Sequence, residues 1–155
     1  MTDPAPPFSP MPFHGGEYTI HPHDVTHGQE YHFVATRSLP PGAHPEERLY
    51  RAEVRFTGRA GTHGLGLEPT DTAMVERWIN GTLAGRHLNT VLDTTPTQEA
   101  VAAVLLSLSL TVLEARAEAG RPVPCNAVEV SVTDTPGQWA RVTALVPDLT
   151  YGVTR

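Results

Sequence analysis

Four histidines crowd one short stretch, His21, His23, His27 and His32, and imidazoles at that density first raise metal binding. A His-x-His pair on a strand puts both rings on one face, as a metal requires. Here Pro22 separates the pair. No Cys or suitably spaced carboxylate completes a tetrahedral set, so these read as solvent-exposed loop histidines. The glycines at 58, 61, 64 and 66 lack the lysine and the helix start of a phosphate loop and read as a flexible turn. All 11 basic residues are Arg, which excludes a catalytic lysine and matches GC-rich coding such as that of actinobacterial genomes. The single Cys125 excludes an internal disulfide and fits a cytoplasmic protein.

Any chemistry must be positioned by the regular elements. The richest signal lies at 95–120. Thr95 is placed as an N-cap, Pro96 as the first helical residue and Gln98 as the reciprocal half of a capping box. Gly120 and Pro122 mark the stop. Val101, Leu105, Leu108 and Val112 recur at helical spacing, and Leu106, Leu110 and Leu113 widen the apolar face. A second helix is predicted over 73–83, capped by Asp71 or Thr72, with Met74, Val75, Trp78, Ile79 and Leu83 on its apolar face and Trp78 in the core.

Strands flank these helices. Residues 48–59 alternate Tyr50, Ala52, Val54 and Phe56 with Arg51, Glu53, Arg55 and Thr57, so one face is buried and one wet. A strand over 29–39 should pair with it antiparallel through the 40–47 loop. Residues 125–133 alternate around Val128, Val130 and Val132. A turn at 133–137 then leads into a last strand over 138–146. Residues 1–16 are proline-rich and read as a flexible N-terminal arm, with Phe8, Met11 and Phe13 as apolar handles. Residues 17–20 read as a short edge strand, 17–155 as one domain, and the tail from Pro147 as short.

The order is strand, strand, helix, helix, strand, strand. This is an α+β chain, ββααββ, with a four-stranded antiparallel sheet and two helices on one face. The uncovered face and edges call for oligomerisation. The 155 residues and 39% hydrophobic content fit one domain with a real core. The net charge of −6 argues against nucleic acid as the main partner. No apolar run is long enough for a bilayer, since the best, 101–112, is interrupted by serines. The acidic, proline-rich N-terminus does not read as a signal peptide.

From about Tyr31 to Val142 the chain resembles the 6-pyruvoyl/6-carboxy-tetrahydropterin synthase family. Phe33, Ala35, Leu39 and Pro40 match its Phe-x-Ala-x-His-x-Leu-Pro, and Tyr50 and Val54 its Tyr-x-x-x-Val. Leu88-Asn89 and Pro96-Thr97-x-Glu99 match its Leu-Asn and Pro-Thr-x-Glu steps. Asp134-Thr135-Pro136 with Trp139-Ala140 matches its Glu-Thr-Pro and aromatic-Ala turn. The resemblance implies a T-fold assembled into an oligomeric barrel, a homo-trimer or homo-hexamer. It also implies zinc held by three histidines, and at those positions this chain has Arg37, Glu46 and Arg48. The family's cysteine falls in the 41–45 loop, where there is none. Its catalytic histidine falls near Gly85, with His87 two residues on. Its pterin-recognising glutamate is shortened to Asp134.

The resemblance therefore implies a zinc-free site with no metal or other cofactor, and excludes tetrahydropterin synthesis. The candidate catalytic residues are Arg37, Glu46 and Arg48, read as a buried ion-pair cluster whose Arg donors face a substrate carbonyl, and His87 as a displaced acid/base. The candidate substrate-binding residues are Glu99, Asp134, Trp139 as an apolar wall, and Tyr50. Each has a bland alternative: a salt bridge filling the vacated zinc site, a helix-dipole contact for Glu99, a turn-shaping role for Asp134, a surface polar residue for His87 and core packing for Tyr50. The leading functional reading is a cofactor-free cyclase of secondary metabolism. It would promote a transannular cycloaddition, four-plus-two or six-plus-four, of a hydrophobic polyene polyketide by holding it folded. The alternatives are a ligand-binding oligomer without turnover, and a zinc-free lyase or aldolase on a pterin-like substrate.

Overall fold

The computed structural model describes residues 24–59 and 65–146. The N-terminal arm, the strand expected at 17–20, His21, His23 and the tail from Pro147 lie outside them. Strand β1 spans Asp24–Arg37 and β2 spans Glu46–Arg59. Helix α1 covers Pro69–Thr82, α2 is the single turn Leu88–Val91, and α3 covers Gln98–Glu118. Strands β3, Cys125–Thr135, and β4, Gln138–Leu145, complete the chain. The sheet order is β1-β2-β3-β4, antiparallel at every step. The two long helices cover one face: α3 lies on β2, β3 and β4, and α1 lies against β1 and α3. The architecture is the one expected, with α2 added.

The alternation of β2 holds in space. Tyr50, Ala52, Val54 and Phe56 are buried toward the helices, beside Val128, Val130 and Val132 of β3. Tyr31, Phe33 and Ala35 supply the same face of β1, and the Phe33 and Tyr50 rings stack at 5.0 Å. The open face carries a set of ion pairs. Glu30 pairs with Arg51, Arg55 with Glu53 and Glu129, and Arg141 with Glu129. β2 bulges at Thr57/Gly58, where the backbone of β3 comes very close. A Cβ on Gly58 would stand 1.9 Å from the Pro124 carbonyl oxygen, so only glycine passes there.

The helix starts differ from expectation. α3 begins two residues later than predicted, because the N-cap is Thr97, not Thr95. The Thr97 hydroxyl accepts the Ala100 N–H at 3.1 Å. Thr97→Ala should therefore cost about 1 kcal/mol in urea denaturation, whereas Thr95→Ala should cost almost nothing. At its far end the Gly120 N–H bonds the Ala117 carbonyl and the Arg121 N–H bonds the Arg116 carbonyl. With Gly120 at φ 78°, this is a Schellman close. α1 begins earlier than predicted. Pro69 opens it, and Asp71 is the third helical residue, reaching back to accept the Glu68 N–H at 2.8 Å.

The predicted apolar faces pack as expected at their centres. Val75, Ile79 and Leu83 are buried from α1, with Trp78 half-buried against the core. Val101, Leu105, Val112 and Leu113 are buried from α3, while Leu106, Leu108 and Leu110 are half-buried. By length and composition alone α3 is apolar enough to cross a membrane; here its apolar stripe is spent on the sheet. Buried Ser109 is satisfied by the Leu105 carbonyl at 2.8 Å.

Candidate functional site

The period of two carries polar residues into the core at one end of the sheet. On β1, Arg37 follows Phe33 and Ala35 on the helix-facing side. On β2, Glu46 and Arg48 precede Tyr50 on that side. Across the strands Arg37 stands opposite Glu46, Ala35 opposite Arg48 and Phe33 opposite Tyr50. β3 extends the row of Val128, Val130 and Val132 to Asp134.

Arg37 and Asp134 form a buried ion pair. The guanidinium Nη1 lies 2.8 Å from Asp134 Oδ2, with the side chains 9% and 1% exposed. The other carboxylate oxygen, Oδ1, accepts from the Gln98 side-chain amide and from the Thr135 hydroxyl. Gln98 is available because α3 starts late, at Gln98 itself. The expected single cluster of Arg37, Glu46 and Arg48 is thus corrected. Arg37 turns to Asp134, and Arg48 pairs with exposed Glu46 at 3.3 Å.

Tyr50 is fully buried beside this pair. Burial pushes its hydroxyl up to about 12; Asp134 adds to the shift, while Arg37 and Arg48 oppose it. At neutral pH the phenol is therefore a donor. Among the described residues, four buried polar atoms have no hydrogen-bond partner: Arg37 Nε, Arg48 Nε, Tyr50 OH and Asp134 Oδ2. Oδ2 retains its charge contact with Arg37, at an angle that makes no hydrogen bond. Buried donors left unmade are costly and uncommon. A pocket of about 480 Å³ on the open side touches two of these residues, Arg48 and Asp134, together with Leu49, Arg51 and Pro136, while Arg37 and Tyr50 lie behind its lining.

The remaining candidates lie elsewhere. His87 is half-buried beside β1, where its Nδ1 is 3.0 Å from the Thr36 hydroxyl. It lines a second cleft of about 690 Å³ with Ser38, Asn89 and Asp93. Asn89 holds that cleft's wall by bonding both the N–H and the carbonyl of Ser38. Glu99 is exposed in the first turn of α3, and it is its neighbour Gln98 that reaches Asp134. Trp139 is 61% exposed on the open face, with the Arg141 guanidinium 4.7 Å from its ring centroid. It therefore sits on the opposite face from Asp134. Gln98, expected as the reciprocal half of a capping box with Thr95, is instead the first residue of α3, and its amide donates to Asp134.

Solved structures of the same shape were found. The 6-pyruvoyl tetrahydropterin synthase of Plasmodium vivax superposes with a TM-score of 0.63 at 12% identity, over 80% of this chain and 99% of that one. That of Caenorhabditis elegans gives 0.62 at 16% identity, over 81% and 99%. An uncharacterized protein of Wolinella succinogenes gives 0.58 at 16% identity, over 77% and 98%. The chain has the tetrahydropterin synthase fold, the T-fold. No family model matches its sequence, and no curated protein does.

On this T-fold the residues present do not fit a zinc ion. Two of the three positions that the resemblance assigns to ligands carry guanidinium groups, and Arg37 is already engaged by Asp134. His27 and His32 point to opposite faces of β1, being five residues apart. Among the described residues, no group of three or more His, Cys, Asp or Glu side chains is placed to hold a metal.

Proposed function

We propose that this T-fold chain binds a small apolar molecule at the Arg37–Tyr50–Asp134 end of its sheet and promotes its cyclisation without a metal. The supporting observation is a pocket of ligand size lined by Arg48 and Asp134, with the unpartnered groups of Arg37 and Tyr50 packed behind them. Fixed donors in a dry site polarise a carbonyl and stabilise charge that develops on its oxygen. A pocket that also holds a flexible chain folded supplies the entropy of ring closure. A transannular cycloaddition of a polyene macrolactone needs only these two contributions. A homo-trimer or homo-hexamer belongs to the same reading, since Val34, Leu49, Trp139 and Leu145 expose apolar surface on the sheet.

The test is incubation with a carbonyl-bearing macrocyclic polyene. Cyclisation is an isomerisation, so the product keeps the substrate's mass and loses its long-wavelength absorbance. Arg48→Ala should slow it on the order of 10²-fold, the usual cost of one such donor, without unfolding the chain, because Arg48 is partly exposed. Polyene that binds and returns unchanged would make the protein a ligand carrier. An Arg48→Ala rate equal to that of the parent would remove the site from this reaction. His87 occupies the other cleft, and His87→Ala should leave cyclisation unchanged.

A further inference from the structure

We infer that the second cleft, between the β1–β2 connection and the link from α2 to α3, binds the ammonium group of an aliphatic amine. It stands apart from the cyclisation site, which lies at the other pocket. The walls of this cleft of about 690 Å³ are held by hydrogen bonds. Asn89 accepts the Ser38 N–H at 2.8 Å and donates to the Ser38 carbonyl at 3.0 Å. The segment before α2 is laid along β1. The Gly85 N–H donates to the Val34 carbonyl at 2.7 Å, and the Thr36 N–H to the Arg86 carbonyl at 2.9 Å. The Thr36 hydroxyl fixes the His87 ring at 3.0 Å. Walls fixed in this way keep the ordering cost of binding small.

The lining offers acceptors around one negative charge. Asp93 is in the lining and exposed, and among the described residues its carboxylate has no ion-pair or hydrogen-bond partner. Thr94 and Thr95 follow it in the lining, exposed, with hydroxyls that have no partner among the described residues either. The Thr95 hydroxyl is left over because Thr97 caps α3 in its place. Among the described residues no arginine lines the cleft, and the chain has no lysine. Arg86, next to His87 in the chain, turns its guanidinium to the Gly81 carbonyl at 3.2 Å. An ammonium group donates three hydrogen bonds and accepts none, which matches a carboxylate flanked by hydroxyls. An anion would meet Asp93 unopposed. Among the described residues no group of three metal ligands forms, so a bare divalent cation is not the match. Neither is an aromatic ligand, since no Phe, Tyr or Trp is in the lining to stack on. Pro41 and Leu92 are, and they suit a short alkyl chain. The net charge of −6 draws a cation on approach.

Asp93 gives the inference its sharpest test. Asp93→Asn keeps the size of the side chain and removes its charge. The residue is exposed and lies between α2 and α3, so the fold should be unaffected. Glu114→Gln removes the same charge from an exposed position on α3 outside the cleft lining. It separates a local contact from the pull of the net charge.

The experiment is an NMR titration of the isotope-labelled full chain with n-butylamine, n-butanol and butyrate, which share a carbon count and differ in charge. It is run at about pH 8, where imidazoles are neutral and alkylamines charged. Butylammonium should shift the amide signals of His87, Asp93, Thr94 and Thr95 saturably. It should bind about fivefold tighter than butanol, the worth of about one exposed ion pair. Butyrate should leave those signals where they are. Asp93→Asn should weaken butylammonium about fivefold, to the level of butanol, and Glu114→Gln should not weaken it. Butanol or butyrate binding there as tightly as butylammonium would overturn the inference, and so would shifts that never saturate. An affinity unmoved in Asp93→Asn, or lowered as much in Glu114→Gln, would overturn it too. None of these outcomes bears on the polyene assay, which reads the other pocket.

Discussion

Arg37→Ala should destabilise the protein by about 3–5 kcal/mol, the cost of leaving one member of a buried ion pair alone. Asp134 is 1% exposed, and among the described residues its Oδ2 has only the Arg37 guanidinium as a partner. Gln98 and Thr135 hold the other oxygen, Oδ1. With Arg37 gone, the carboxylate loses its charge partner. Water can enter the space the side chain vacates, so the lower end of that range is the better expectation. A second substitution shows that charge, not bulk, is responsible. In Arg37→Met/Asp134→Leu both charges leave together, and stability should return to within about 1 kcal/mol of the parent. Urea denaturation of the parent, the single and the double variant reads both effects. A single-variant loss below about 1 kcal/mol would mean that Asp134 finds another partner. This result also decides how the site is probed. Arg37 anchors buried Asp134 behind the pocket, so lost turnover in Arg37→Ala would not identify a catalytic role, whereas lost turnover in Arg48→Ala would.

The sheet and both long helices were legible because each depends on a local period. Tyr50 to Phe56 and Val128 to Val132 alternate cleanly, and Val101, Leu105 and Val112 recur in the helical repeat. The errors fall where a polar residue continues an apolar row. Assigning 133–137 to a turn ended β3 early and hid that Asp134 stands in line with Val132, two residues before it. The same parity puts Arg37 in line with Ala35. A reader who had run both rows outward would have found two opposite charges entering the core at one end. Their pairing needs the register of three strands, which no single segment contains. The sequence alone therefore points Arg37 to Glu46, its nearer neighbour in the chain. The unused hydroxyl of Tyr50 is less legible still, since an absent partner is a property of the whole surroundings. The start of α1 was missed for a simpler reason: its first turn, Pro69 to Thr72, is polar, and apolar periodicity begins only afterwards.

That polar first turn is also where the second large effect is expected. Arg116→Ala should cost about 2–4 kcal/mol, because one side chain closes the helical layer. Its Nη1 lies 2.6 Å from Glu68 Oε1 and 3.3 Å from Asp71 Oδ2. Its Nη2 donates to the Gly66 carbonyl at 2.9 Å, and its Nε to the Arg121 carbonyl at 3.1 Å. The last turn of α3 is thereby tied to the first turn of α1 and to its own Schellman close. The contact with Glu68 counts least, since that carboxylate is half exposed. The contact with Asp71 counts most, because Asp71 is buried and already holds the Glu68 N–H. A cation in the last helical turn also meets the negative end of the α3 dipole. Arg116→Lys separates charge from geometry. Lysine keeps the dipole term and one carboxylate contact but cannot reach two carboxylates and two carbonyls at once, so it should recover less than half of the loss. Full recovery by lysine would reduce the clamp to a point charge, and a loss in Arg116→Ala below about 0.5 kcal/mol would mean that α1 docks on its apolar face alone. The two costs should add in Arg37→Ala/Arg116→Ala, because the pairs share no partner. A sum that falls well short would show that the sheet end carrying the pocket and the helical layer that covers it do not unfold independently.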